Sequence, residues 1–276
     1  ATTPTAPPQV TVDSAANSPD LSNQTLGSWT HTTSGSNRYL VVGLAGWDDA
    51  GSLANVGVTY NGVALTKLGG AQAAGANQAV LWGLVNPTVG THTLAVSNIP
   101  PGFAELGGGS VSFTNVHQTA PTGAVVSETA GDGSVNVTLS QGNVGVDILY
   151  SGAGTQAPVI GPGGTQRVNA TLPSNPEKWL MLGTEGDAGT ITMSWTDAGG
   201  ADFAQAAIPL TFAALPPSVR GDLDGNGTVD LDDLRRCIFM LIGTVPPNLA
   251  TADLDGDGQL LLADLQLLVR ILVGLP

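Results

Sequence analysis

The chain is short of charge. Of its 276 residues only 11 % are Asp, Glu, Lys or Arg, and just eight are basic. Twenty-two acids stand against those eight, giving a net charge of −14. With so few cations there is no basic patch to neutralise phosphates, which excludes nucleic acid as a partner. The same balance argues against anionic membrane surfaces. A single cysteine, Cys237, excludes a disulfide framework within the chain. Its neighbours Arg236, Ile238 and Phe239 fit a buried thiol. No apolar run approaches the roughly 18–20 residues that span a bilayer, so no membrane insertion is expected. The opening ATTPTAPPQV lacks an initiator Met and a basic leader. A mature exported chain looks like this, and so does a truncated one. The expectation is a secreted, extracellular or cell-surface protein of bacterial type.

Gly, Ser, Thr, Asn and Gln must cover the surface instead. Residues 1–9 are Thr- and Pro-rich and expected to be extended. From 10 to 213 short alternating segments dominate: RYLVVGLAG (38–46), QAVLWGLV (78–85), THTLAVS (91–97), GSVSFTNV (109–116), GSVNVTLS (133–140), NVGVDILY (143–150), EKWLMLGTE (177–185), GTITMSW (189–195) and FAQAAIPLTF (203–212) are examples. Gly, Pro, Asn or Asp bounds most of them. Asn61-Gly62 signals a hairpin between 56–60 and 63–67. The pattern predicts a mainly β fold, an antiparallel jelly-roll-like β-sandwich over 10–213. Residues 214–220, with Pro216-Pro217, form a stiff linker. Beyond it the period becomes helical, over 231–243 and 261–274, each run ending in Gly.

The last 56 residues contain an internal repeat with an offset of 31. GDLDGNGTVDLDD (221–233) is matched by ADLDGDGQLLLAD (252–264). Oxygen ligands fall at loop positions 1, 3, 5 and 12: Asp222, Asp224, Asn226 and Asp233, then Asp253, Asp255, Asp257 and Asp264. Gly227 and Gly258 stand at position 6, where a sharp turn lets position 7 offer its carbonyl, from Thr228 or Gln259. Six to eight oxygens suit Ca2+, and they are too many for Mg2+, which keeps its waters. The expectation is two Ca2+ ions. Position 9 differs: Asp230 can ligate directly or through water, and Leu261 cannot, so the first site should bind more tightly.

On these residues, 221–276 resembles a dockerin domain: two calcium loops, each followed by a helix, with Asp at loop position 12 and no entering helix. The resemblance implies a small α-helical, calcium-binding module that binds a cohesin-like protein domain. The family's recognition positions fall on Leu231, Asp232, Ile238 and Phe239 in the first copy. In the second they fall on Leu262, Ala263, Val269 and Arg270. These are largely apolar where small polar pairs are common in the family, which implies a hydrophobic partner surface. Some of Ile238, Leu268 and Val269 must also serve the module's own small core.

Residues 10–213 are similar to an uncharacterised β-sandwich module of secreted bacterial proteins. The similarity rests on HTTSGSNRYLVVGLAG (31–46), TYNGVALTKLG (59–69), LWGLVNPTVGTHTLAVS (81–97) and the segment from Thr192 to Leu210, and it implies no chemistry. His31, His92 and His117 form no recognisable catalytic motif. Asp48, Asp49, Glu105, Glu185 and Asp187 are loop acids, of which two could form a glycosidase pair. They fit solvated turns better, and no enzyme is expected. Trp82, Trp179 and Trp195 lie in strand patterns and are expected in the core. Trp47, beside two acids, is the candidate for stacking on a glycan, with a polysaccharide as ligand. Two further readings remain open: attachment to a foreign cohesin-like partner, or head-to-tail assembly with another copy of the same chain into filaments.

Overall fold

A computed structural model describes residues 9–73, 75–101, 103–129, 133–152, 157–172, 175–196, 203–213, 220–224 and 228–274. The Thr/Pro segment 1–8, the Pro216-Pro217 linker and Asn226 lie outside them. The chain divides into two compact units, 1–213 and 214–276. Among the described residues no helix is long and apolar enough to cross a membrane.

The first unit is built from antiparallel strands. Nine come from its first half: β1 (Thr11–Asn17), β2 (Gly27–Thr33), β3 (Tyr39–Trp47), β4 (Gly57–Tyr60), β5 (Val63–Ala64), β6 (Thr66–Ala71), β7 (Asn77–Val85), β8 (Gly90–Ser97) and β9 (Glu105–Thr114). Eight follow: β10 (Val126–Glu128), β11 (Ser134–Leu139), β12 (Val144–Ser151), β13 (Val159–Ile160), β14 (Gly164–Leu172), β15 (Asn175–Glu185), β16 (Gly189–Thr196) and β17 (Phe203–Leu210). The first half makes a five-stranded sheet, β1-β9-β3-β7-β6, and a four-stranded one, β2-β8-β4-β5. The second half makes a five-stranded sheet, β10-β17-β12-β15-β14, and a three-stranded one, β11-β16-β13.

These orders are the same order. Replacing β1, β2, β3, β4, β6, β7, β8 and β9 by β10 to β17 in turn converts the first half into the second. Only β5 has no counterpart among the described residues. The expected mainly β, antiparallel sandwich fold is present over 10–213, built as two sandwiches of identical topology rather than one. Local details repeat as well. GTHTLAVS (90–97) and GTITMSWT (189–196) occupy the same strand, and each begins at a glycine with left-handed φ, 108° at Gly90 and 111° at Gly189. Such a φ strains any residue with a Cβ, which is why both turns keep glycine.

The sandwiches stack as four layers. Alternation along β3 explains how one strand serves two cores. Leu40, Val42 and Leu44 meet Trp82, Leu94 and Tyr60 inside the first sandwich. Tyr39, Val41 and Ala45 point the other way, against Val146, Ile148, Tyr150 and Leu182 of the second half's larger sheet. Both five-stranded sheets are thus buried on both faces. The seam is close: a Cβ on Gly43 would lie 2.9 Å from Ile148 Cβ, and one on Gly109 2.8 Å from Val168. Trp82, Trp179 and Trp195 are in the cores, as their strand patterns require. The Asn61-Gly62 turn joins β4 to β5, with both residues at positive φ.

The strands absent from the sequence reading include β1, β2 and β14. β1 is an edge strand of mostly small residues, exposed or half-buried and nowhere fully buried. β14 contains a bulge at Arg167 that interrupts its alternation.

Each sandwich also buries a polar group. Asp147 accepts hydrogen bonds from Trp195 Nε1 (2.6 Å), Gln205 Nε2 (2.6 Å) and Gly183 N–H (3.0 Å). Burial pushes its pKa up to about 6, against the pull of those donors. His31 lies 2.8 Å from Ser110 Oγ through Nδ1, and Trp29 Nε1 donates to the same hydroxyl. Burial pulls His31 down to about 4.

Candidate metal centre

Among the described residues the second unit has three helices: α1 (Leu231–Leu241), α2 (Leu249–Ala252) and α3 (Leu262–Leu272). Its core follows the 31-residue repeat. Leu223 pairs by position with Leu254, Val229 with Leu260, Leu234 with Leu265, Cys237 with Leu268 and Leu241 with Leu272, and all ten lie in one cluster. Both long helices end at a glycine in left-handed conformation, Gly243 and Gly274.

Each loop is tied to its helix by the carboxylate at position 12. Asp233 is wholly buried. Its Oδ1 accepts from Leu223 N–H (2.6 Å) and Asp224 N–H (3.0 Å), and Oδ2 from Asp230 N–H (2.8 Å). Asp264 repeats this with Leu254 N–H (2.7 Å), Asp255 N–H (3.2 Å) and Leu261 N–H (2.8 Å). Three amide donors fix each carboxylate in place.

Acids gather on each loop, with the anchor Asp233 among them in the first and Asp264 outside the group in the second. Asp222, Asp224 and Asp233 offer oxygens within 4.8 Å of one another, and so do Asp253, Asp255 and Asp257. At an effective dielectric of about 20, two like charges no farther apart than this repel by roughly 3 kcal/mol or more. In the first cluster two of the three acids are buried, so water relieves little of this. A divalent cation reverses the sign. In the second loop the backbone already curls around Asp253, which accepts from Gly256 (2.6 Å), Asp257 (3.1 Å) and Gly258 (2.9 Å) N–H groups. These donors, Gly258 first, hold Asp253 below the usual carboxylate range. Gly258 has φ 81°, a conformation open to glycine. Every clustered ligand is an oxygen, with no Cys or His among them, so the set suits a hard cation.

The other ligand candidates are placed as follows. Thr228 and Gln259 are exposed on the loops, and Gln259 N–H donates to Asp257 Oδ1 (2.8 Å). Asp230 caps α1, accepting from Asp232 N–H at 2.8 Å. Leu261, its counterpart, makes no side-chain cap. Asp264 lies beneath the second cluster, on its three amides. Arg220 went unnoticed in the sequence: its Nη2 donates to the Asp253 carbonyl at 2.6 Å. No pattern marks it, because it acts on a backbone atom.

Leu231, Asp232, Ile238, Phe239, Leu262, Ala263, Val269 and Arg270 are all on the surface. Leu231 and Leu262 are the most open of the named apolar positions, at 74 % and 64 %. The structure adds Ile242 and Val273, which are 31 apart and also exposed. Each helix with its C-cap therefore carries the same stripe: Leu231, Ile238 and the cap Ile242 along α1, and Leu262, Val269 and the cap Val273 along α3. The repeat itself could have revealed the third position. Trp47, at the end of β3, is half-buried and packs against the seam between the sandwiches.

Fold and site together define a modular protein: stacked β-sandwiches and a small helical unit with two acidic, cation-competent loops, consistent with an EF-hand-like or dockerin-like arrangement. No family model matches the chain, and neither a curated protein nor a solved structure matches it.

Proposed function

We propose that this is a secreted, non-catalytic protein that attaches to a cohesin-like domain through a calcium-dependent, dockerin-like module, with the β unit as cargo or surface module. The supporting observation is the duplication of two features at once. The 31-residue repeat places a three-acid cluster at each loop, sharing loop positions 1 and 3 (Asp222, Asp224; Asp253, Asp255), and an apolar stripe in register on each following helix. Asp222, Asp224 and Asp233 would hold one Ca2+ ion and Asp253, Asp255 and Asp257 the other, with the Thr228 and Gln259 carbonyls completing the shells. The ion supplies positive charge at the start of each helix. The chain's own carboxylates then lock loop to helix, which sets the two stripes in place. An apolar surface on a unit this small calls for a partner to cover it. The low charge of the whole chain supports an extracellular setting.

Light scattering of the intact protein, with calcium and then chelator, tests the reading together with pull-down on a cohesin domain. Calcium-dependent capture by cohesin, lost in an Ile238→Asp, Phe239→Asp double variant, supports it. Large calcium-dependent particles of the pure protein, lost in the same variant, would make the partner another copy of this chain. A strict monomer in calcium that captures no cohesin would refute both.

A further inference from the structure

The duplication supplies an internal control for one residue of the second sandwich. Both copies carry a β-bulge at the same place, in the edge strand of the larger sheet. In β6 the extra residue is Leu68, between the pairs Lys67–Trp82 and Gly69–Leu81. In β14 it is Arg167, between Gln166–Gly183 and Val168–Leu182. A bulge re-aims the side chain it displaces. Leu68 packs on the seam core. Arg167 instead lines a groove of about 430 Å3 with Gln9, Thr11, Val12, Thr165 and Thr184. The topology accepts leucine here, so the fold does not require a cation.

The arginine is held and uncompensated. Its Nε donates to Thr184 Oγ1 at 2.8 Å, and Thr184 is buried. The guanidinium is half-buried, and burial lowers its pKa with no carboxylate acting against that. Among the described residues that line the groove none is acidic. That is unusual in a unit where 13 acids in residues 1–213 outnumber four bases. A guanidinium that gives up part of its hydration without meeting an anion incurs a cost, and an incoming anion relieves it.

We propose that this groove binds a carboxylate carried on a hydroxylated framework, namely a uronic acid residue of a polysaccharide. The fork of the two Nη groups matches a carboxylate in bidentate geometry. Thr11, Thr165 and Gln9 present hydroxyl and amide groups to sugar hydroxyls, and Val12 presents an apolar wall to ring C–H groups. An adjoining hollow of about 310 Å3, sharing Gln9 and Gly186, has room for a neighbouring sugar. Asp187 lines that hollow and would repel a second carboxylate, so the neighbour is neutral. The net negative charge of the unit likewise disfavours a densely charged polyanion.

The test uses the full chain in calcium and three probes: methyl β-D-glucuronide, methyl β-D-glucoside and N-acetylglutamate amide. Amide NMR signals of Gly163 and Gly186 report binding. The expected result is a saturable shift with the glucuronide at millimolar concentration, and binding about tenfold or more weaker for the glucoside and for Arg167→Leu. Arg167→Leu copies the first sandwich and should keep its thermal midpoint. Arg167→Lys, which keeps charge without the fork, should fall between. Chelator should change nothing, which separates this site from the calcium module. Equal binding by Arg167→Leu, equal binding of the glucoside, or no saturable shift would overturn the proposal. Equal or tighter binding of the glutamate derivative would overturn it in favour of an acidic protein partner.

Discussion

Replacing Asp233 by Ala tests how loop and helix are joined. The variant leaves three amide donors, on Leu223, Asp224 and Asp230, without their acceptor. Each buried unsatisfied donor costs about 1–3 kcal/mol. Asp224 is exposed and its amide can recruit water, so two donors count, for about 2–6 kcal/mol. A unit of this size holds about 3–9 kcal/mol in total, at roughly 0.05–0.15 per residue. The variant unit should therefore open often even in calcium. Cys237 reads this directly. It is the only thiol and is 1 % exposed in the unit's core. Burial, with Asp264 adding to it, also raises its pKa, so it reacts slowly while the unit is closed. Labelling by an aromatic disulfide should be about 30- to 10⁴-fold faster in Asp233→Ala than in the native chain, in proportion to the open population. Asp232→Ala, at the exposed neighbour, should change stability by less than about 1 kcal/mol. Labelling of Asp233→Ala at the native rate would show that the buried carboxylate does not hold the unit together.

Three further outcomes are expected. Asp222→Ala should leave a weaker remaining calcium site than Asp253→Ala does, because Asp230 is replaced by Leu261 at loop position 9; calorimetric titration of both variants gives the order, and equal affinities would refute it. His31 and Asp147 oppose each other in acid: His31, depressed to about 4, loses stabilisation as pH falls below about 6.5, whereas Asp147, raised to about 6, gains it as pH falls toward about 4. With His31→Gln the gain from Asp147 is left, and Glu185, raised by burial and the nearby Asp147, adds to it in the same direction, so the calorimetric midpoint of the β unit should rise between pH 6 and 4; a midpoint that falls there contradicts the assignment. Gly43→Ala should destabilise the β unit by about 1–3 kcal/mol, since its Cβ would meet Ile148 at 2.9 Å; an unchanged midpoint would mean the seam is looser than the structure has it.

The acidic-loop repeat was legible because a cation-binding loop demands oxygen ligands at fixed spacing. A 31-residue offset survives from Asp222 to Gly274 without a gap. The duplication of the sandwich was not, because packing tolerates drift. The matched segments at Gly90 and Gly189 are 99 apart, whereas the bulged residues Leu68 and Arg167 are also 99 apart but share no chemistry. Strand β3 and its counterpart β12 share only burial, and β12 holds Asp147 where alternation predicts an ordinary interior residue. Trp47 was expected in a loop, on its neighbours Asp48 and Asp49. It is instead the last residue of β3, and Asp48 turns back to accept from Ala50 and Ala104 N–H groups. Those are contacts no local pattern announces.

The seam between the sandwiches is unequal, and this decides which halves can pair. The first copy supplies the hollows, at Gly43, Gly107 and Gly109. The second supplies the side chains that fill them, Ile148, Leu172, Leu180 and Val168. Two first copies placed face to face would leave gaps, and two second copies would collide. A duplication of identical halves begins as a surface able to recognise itself in any neighbouring molecule. Once hollow and filling are divided between the copies, the best partner for each half is the one tethered to it. That division keeps folding within the chain and discourages exchange of halves between neighbouring molecules.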